Sequence, residues 1–287
     1  MVPPSAARPR LAVTLGDPRG IGPEVVEKAL AQSIDADIRI VGSTEQRAGS
    51  RPNEVEAGRI AGAAIEAAAR LALSGEADAI VTGPVHKHAL HLAGYRYPGV
   101  TEFLAHLAGD VPVAMMLTTG ALRVVLVTTH LALRDVPAQL TTERIVQTGR
   151  ITAEALRRWW GIAVPRLAVC ALNPHAGEGG LFGDEDERVL RPAAALLGAA
   201  GPLPADTVFV KALRGDFDAV LAPYHDVGMT AVKVAGFGTG VNVTLGLPFI
   251  RTAPDHGTAL DIAGTGKADA GSMRAALELA ASLASRP

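Results

Sequence analysis

Three histidines each follow a short apolar run: His130 in LRVVLVTTHLALRD, His175 in RLAVCALNPHAGEGG and His225 in FDAVLAPYHDVGM. The runs are rich in Val and Leu and close on Pro, Gly or Asp, the pattern of buried strands. Strand ends in parallel α/β folds open onto the ligand crevice. Three imidazoles delivered there could hold one divalent metal and leave positions open for a substrate. A single His in that setting is more often a hydrogen-bonded polar residue, so the weight lies in the repetition. His175 stands out, gripped between Pro174 and a Gly-rich loop with the carboxylate Glu178 nearby, as a ligand with a supporting partner would be.

Other residues of the right chemistry follow strand-like runs. Lys233, Asn242 and Arg251 lie downstream of His225, and two cations with an amide suit a phosphate or carboxylate. His86 and Lys87, in TGPVHKH (Thr82 to His88), could line a crevice or sit in solvent. GDPRGIGPE (Gly16 to Glu24) joins a strand to a helix start through three glycines and two prolines. A helix N-terminus there could receive an anion, but the spacing is not the dinucleotide fingerprint, because Val25 stands at the third glycine position. APDHGTALDIAGTGKADAG (Ala253 to Gly271) groups Gly, Thr and Asp in two clusters, a composition that lets backbone amides approach a ligand closely.

Strand-like and helix-like segments alternate around these motifs. Arg10 to Gly16, DIRIVGS, ADAIVTGP, LRVVLVTTH, RLAVCALNP and FDAVLAP read as strands. Gly22 to Gln32, EAGRIAGAAIEAAARLALSG, TERIVQTGRITAEALRRWWG, DEDERVLRPAAALLGAA and Ser272 to Ala284 read as helices. Pro23 and Glu24 favour a helix start, and Gly75 a helix end. This order predicts an α/β fold with a mainly parallel sheet covered by helices.

Composition narrows the function. The chain has 287 residues, 48% hydrophobic and only 4% aromatic, so an ample core must be built from Ala, Val, Leu and Ile. Net charge is −2, with no basic stripe for nucleic acid. No run is long and apolar enough for a membrane span, and MVPPSAARPR lacks an apolar signal core. The single cysteine, Cys170, fits a reducing, cytoplasmic setting and reads as core. Trp159 and Trp160 close an amphipathic helix and read as core or subunit packing.

Taken together the motifs resemble the 4-hydroxythreonine-4-phosphate dehydrogenase family of pyridoxal phosphate (vitamin B6) biosynthesis. GDPRGIGPE, TGPVHK, TEFLA, TTHLALRD, LNPHAGEGGLFG, APYHD and GVNVTLGLPFIRTAPDHGTALDIAGTGKADAG carry the resemblance nearly end to end. The last run also resembles the HGSAPDIAGKG loop with which isocitrate and isopropylmalate dehydrogenases bind a nicotinamide cofactor. The resemblance implies a two-domain isopropylmalate dehydrogenase-like fold with an interdomain cleft. One domain would be formed by 1–122 plus 252–287 and the other by 123–251. It further implies a homodimer with the active site shared between subunits.

By the same resemblance His130, His175 and His225 are the metal ligands, and Thr101, Lys233, Asn242 and Arg251 bind substrate. Asp255, His256, Gly257 and Thr258 then meet NAD or NADP. The implied reaction is metal-dependent oxidation of the C3 hydroxyl of 4-phosphohydroxy-L-threonine, followed by loss of carbon dioxide. Asp226 and Lys87 are candidates for the general base. Imidazole ligands suit zinc, cobalt or nickel, with magnesium or manganese admissible if water and substrate oxygens complete the shell.

Three departures fall near the expected pocket. Val100 stands where the family usually has His before TEF, Val227 replaces the Gln of YHDQG, and the stretch from about Gly42 to Ala57 is shortened. Lost polar contacts change which substituents a pocket accepts. Two other readings follow: a relative acting on threonate or erythronate 4-phosphate, and a non-catalytic metabolite-binding member. The intact HGTALDIAG loop argues against the second.

Overall fold

The computed structural model describes residues 8–42 and 52–286. Most of the shortened stretch lies at 43–51, outside the described residues. In chain order the elements are β1 (Arg10–Thr14), α1 (Gly22–Leu30), β2 (Asp37–Val41), α2 (Glu54–Leu73), β3 (Ala79–Thr82), α3 (Lys87–Leu92), α4 (Val100–Leu107), β4 (Ala114–Thr119) and β5 (Leu122–Leu126). There follow α5 (Val136–Gln139), α6 (Thr142–Trp160), β6 (Leu167–Cys170), α7 (Arg191–Leu197), β7 (Ala200–Leu203), α8 (Ala205–Leu213), β8 (Ala219–Ala222), α9 (His225–Ala235), β9 (Val241–Leu245), β10 (Ile250–Pro254) and α10 (Gly271–Ala284). They form two compact units, 1–112 with 247–287, and 113–246.

In the first unit the strands run β2-β1-β3-β10, and every pairing is parallel. All their carboxyl ends therefore open at one edge. β1 and β3 are buried along nearly their whole length, which is why they read as continuous apolar runs. α2 begins where the Asn53 side chain accepts a hydrogen bond from Glu56 N at 2.9 Å, two residues before the start expected at Glu56. Its small-residue face buries Ala57, Gly58, Ala61, Ala64, Ile65 and Ala68. Phe103 stacks on Tyr97, ring centroids 4.6 Å apart, and holds α4 in place.

The second unit orders its strands β9-β4-β5-β8-β6-β7. β5, β8, β6 and β7 are parallel, while β4 is antiparallel to both β5 and β9. The β4–β5 hairpin turns at Gly120 (φ 53). Its core packs Leu117, Leu122, Val124, Leu126, Val208 and Val220. Trp159 and Trp160 are buried within this unit, with the Arg123 guanidinium 5.6 Å over the Trp160 ring.

Two differences from the expected elements have simple causes. The helix expected over DEDERVLRPAAALLGAA starts as a π-helical turn, Asp186–Leu190, continues as α7, and stops at Gly198 in a left-handed cap. The chain then forms edge strand β7, whose Gly and Pro hide it from a pattern search. The strands expected to reach His130 and Pro174 end at Leu126 and Cys170, because the chain beyond turns into loops.

Cys170 has no solvent exposure, and burial pushes its thiol up to about 12, with Asp186 adding to the effect. A thiol held neutral is a poor nucleophile. We expect an aromatic disulfide reagent at pH 8 to leave the native protein unmodified for minutes and to modify one thiol in denaturant. Rapid modification of the native protein would contradict this burial.

Candidate functional site

The second unit delivers all three histidines to one edge. β5, β8 and β6 are consecutive parallel neighbours, so the loops after them share the carboxyl edge of the sheet. The ends of β5 and β8 are tied directly: Val127 N donates to Ala222 O at 2.9 Å, and the Thr128 hydroxyl donates to Pro223 O at 2.7 Å. The His130 and His225 rings consequently lie 5.5 Å apart. His225 opens α9, and its Nδ1 meets Asp226 Oδ1 at 2.7 Å. A carboxylate on one imidazole nitrogen is the arrangement that orients the other for a metal. His130 is exposed and His225 half-buried, both open to a ligand.

His175 sits in a different kind of loop. His175, Ala176, Gly177, Glu178 and Gly179 all have positive φ, between 42° and 80°. Three of these are not glycine, and each such residue costs ~1–2 kcal/mol in a left-handed conformation. The loop is held by Asp186, which is fully buried. Its two oxygens accept from Leu172 N at 2.9 Å and Asn173 N at 3.0 Å, while the Asn173 amide donates to Glu185 Oε2 at 2.8 Å. The exposed His175 ring faces Phe182, centroids 6.5 Å apart. Among the described residues of one chain, no group of three or more His, Cys, Asp or Glu is arranged to hold a metal. The donor chemistry of His130 and His225 fits a divalent cation, and one chain brings these two together without the third.

The remaining expected residues of this unit are spread along α9 and β9. Lys233 is exposed in the last turn of α9, Asn242 is half-buried on β9, and Asp226 is exposed. Val227 packs its half-buried side chain against the core, as an apolar residue should.

In the first unit three loops meet at the carboxyl edge. Asp17 N donates to Pro84 O at 2.9 Å, and Ile21 N donates to Thr258 O at 2.9 Å. Arg19 grips the buried Asp17 carboxylate through two nitrogens, at 2.8 and 3.1 Å, which closes the GDPRG turn. A side chain at Gly20 would lie 2.7 Å from Thr258 O, so only glycine lets the two loops touch. Thr258 is buried by this contact, Asp255 and His256 are half-buried, and Gly257 is exposed. Asp255 N donates to Ser272 Oγ at 2.8 Å, fixing the loop's entry, and His256 Nδ1 lies 3.1 Å from Gly257 O.

Arg251 is buried on β10. Its Nε and one terminal nitrogen donate to the Thr82 hydroxyl at 3.1 and 2.6 Å. Burial pushes the guanidinium down to about 10, opposed by the Glu102 carboxylate, so it stays charged at neutral pH. Thr101 is buried on α4 beside Val100, while Lys87 is exposed at the start of α3. Thr82, which holds Arg251, and Asp186, which holds the loop at His175, are supports that sequence reasoning missed. Thr82 reads only as the end of a strand, and Asp186 only as an acid near a helix start.

Asp186→Ala would leave two half-buried backbone donors without their carboxylate, at a cost of roughly 2–5 kcal/mol. We expect urea unfolding to show that loss, with Asp186→Asn in between because it retains one acceptor. A change below about 0.5 kcal/mol, the range of ordinary surface substitutions, would show that the loop does not depend on this carboxylate.

A family profile described as "Pyridoxal phosphate biosynthetic protein PdxA" matches residues 22–280. The chain is 44% identical to a 4-hydroxythreonine-4-phosphate dehydrogenase of Geobacter metallireducens, covering 96% of each protein. It is 42% identical to a D-threonate 4-phosphate dehydrogenase of Salmonella typhimurium, covering 96% of this chain and 98% of that one. The crystal structure of a 4-hydroxythreonine-4-phosphate dehydrogenase from Klebsiella pneumoniae superposes with a TM-score of 0.90 at 41% identity, over 98% of this chain and 100% of that one. An isocitrate dehydrogenase from Methylococcus capsulatus, at 15% identity and a TM-score of 0.50 over 96% of this chain and 87% of that one, shares the fold. These matches, end to end and well above the level of fold likeness alone, show that the chain belongs to the PdxA family of dehydrogenases.

Proposed function

We propose that this chain oxidises the C3 hydroxyl of 4-phosphohydroxy-L-threonine with NAD or NADP, and that the resulting 3-oxo acid loses carbon dioxide, a step of pyridoxal phosphate synthesis in the cytoplasm. The observation that carries the reading is the pairing of His130 with His225 at a shared strand edge, in a chain that also keeps the Asp255 to Thr258 loop. When bound, the divalent cation supplies Lewis acidity at the reacting hydroxyl and the carbonyl it becomes, and the nicotinamide accepts the hydride.

The chain's own groups do the rest. Arg251, charged and fixed by Thr82, offers a rigid donor fork to an anionic group of the substrate. Lys233, Asn242 and Thr101 add donors, converting binding of the remote phosphate into orientation of C3. Asp226 holds the His225 imidazole, and Asp226 and Lys87 remain the two candidates for the proton acceptor.

A homodimer completes this reading. One chain joins two of the three histidines. Exposed apolar side chains stand beside two of them: Leu131 and Leu133 after His130, and Leu181 and Phe182 after His175. A second copy covering these residues would remove the apolar surface from water and could bring the third imidazole to the pair.

A second reading has its own observation. Val100 takes the first turn of α4, next to Thr101, and offers no hydrogen bond. Oxidation of D-threonate 4-phosphate by the same machinery is the alternative this suggests.

The test follows absorbance at 340 nm with divalent metal and either cofactor, comparing 4-phosphohydroxy-L-threonine with the threonate and erythronate 4-phosphates. Reduction chiefly with the amino acid supports the first reading, and reduction chiefly with a sugar acid replaces it by the second. Absence of reduction with all three, from protein that binds metal and cofactor, would reject both. His175→Ala should lose bound metal and turnover while its circular dichroism stays native. Unchanged metal content would eliminate His175 as a ligand.

A further inference from the structure

The GPE segment at the start of α1 does more than begin a helix. Lys28 Nζ donates to three acceptors, each at 2.8 Å: Glu24 Oε1 one turn earlier, and the carbonyls of Gly266 and Ala268. Those three bonds use every proton an ammonium has. Glu24 Oε1 also accepts from Ala268 N at 3.0 Å. The far limb of the loop that begins at Asp255 is thus bound to α1 through both side chains. Its near limb is bound to the same helix start, where Ile21 N meets Thr258 O. Between these attachments the loop contains Ala259 at φ 40° and Gly264 at φ 77°, and Gly266 at the far attachment has φ 74°, turns that no strand or helix ladder stabilises.

An ordinary Glu–Lys pair one turn apart on a helix surface adds only a few tenths of a kcal/mol to that helix. This pair differs because two of the ammonium's three acceptors are backbone carbonyls of another segment, more than 230 residues away in the chain. Its lysine is partly exposed, so it contributes little to the core. What it fixes is the path of one loop.

We propose that Glu24 and Lys28 are positioning residues for the nicotinamide cofactor, holding the loop from Asp255 to Ala268 in its binding geometry before the cofactor arrives. The inference rests on the reading that Asp255 to Thr258 meet that cofactor. A loop ordered in advance binds without the entropic cost of ordering it at that moment. Loosening one limb therefore weakens cofactor binding and leaves the substrate's own contacts in place.

The experiment titrates the full-length protein with NADH and NADPH by fluorescence, without substrate. It then measures KM for the phosphorylated substrate at saturating cofactor, along with Tm. Lys28→Met should raise the cofactor Kd roughly tenfold or more, in the range a misplaced contact produces, with substrate KM and Tm nearly unchanged. Lys28→Arg, which can still donate to the carbonyls, should recover much of the affinity. Glu24→Gln, which keeps its acceptor oxygen, should fall between and serves if Lys28→Met does not fold.

Asp255→Ala separates the two layers of the argument. If Asp255→Ala weakens cofactor binding and Lys28→Met does not, the positioning proposal is overturned and the loop reading stands. If Asp255→Ala binds cofactor like the parent, the loop reading fails and takes the proposal with it. A Lys28→Met protein whose Kd, KM and Tm all deteriorate together would show a general structural role, which also overturns the proposal.

Discussion

The first unit depends on backbone touching backbone at the carboxyl edge of its parallel strands. The loop after β1 meets the loop after β3 at Asp17 and Pro84, and meets the loop after β10 at Ile21 and Thr258. Side chains would hold these loops apart. Gly16, at φ 79°, presses on the Pro84 carbonyl, and Gly20 on Thr258. Parallel pairing makes the arrangement possible, because it brings every strand's following loop to the same edge. It also explains why GDPRGIGPE and TGPVHK carry such restricted residue types. Their glycines and prolines shape a contact between loops, and Arg19 with Asp17 locks one of those loops.

The second unit solves a different problem at its own carboxyl edge. It must hold His175 in a run of left-handed backbone that includes three non-glycine residues, at ~1–2 kcal/mol each. The two bonds from backbone N–H to the Asp186 carboxylate contribute about 1.5–3 kcal/mol each, so the anchor and the strain are of the same size. Strain of this kind persists where surrounding structure over-determines it, and it gathers at functional sites. That balance, more than the polarity of His175 itself, distinguishes it from an incidental surface histidine.

Much of this was legible in the sequence, for reasons that can be named. β1, β3, β5, β6 and β8 are buried along nearly their whole length and read as mostly apolar runs, broken inside β5 only by Arg123. α2 and α6 show a helical period with caps. β7 was invisible because it is a Gly-Pro edge strand. β4 runs straight into β5 and β9 into β10 with no helix between, and the antiparallel pairing of β4 departs from the β–α alternation that reveals the other strands. The pairing of His130 with His225 required knowing that β5 and β8 are neighbours, which no local pattern encodes. The left-handed loop left no trace either, since Ala and Glu are not residues that announce positive φ. Lys28 and Asp186 read as ordinary helix residues because their partners' positions are set by the fold.

The departures at Val100 and Val227 can be placed on this framework. Val227 turns inward on α9 and packs on the core, next in the chain to Asp226, whose Oδ1 still meets His225 Nδ1 at 2.7 Å. Val100 begins α4, where Phe103 and Leu104 anchor the helix from below. Neither change touches Thr82, which fixes Arg251, or the contacts that hold the loops after β1 and β10. On the proposed reading, a residue at the start of α4 can therefore change while the elements that hold the imidazoles and the loop from Asp255 to Thr258 keep their geometry. Under that reading, this separation would let one fold take either an amino acid or a sugar acid bearing the same terminal phosphate. On the proposed reading, the phosphate and the reacting carbon would be met by groups fixed in the strands and loops, and the substituent that differs by a residue the fold does not need.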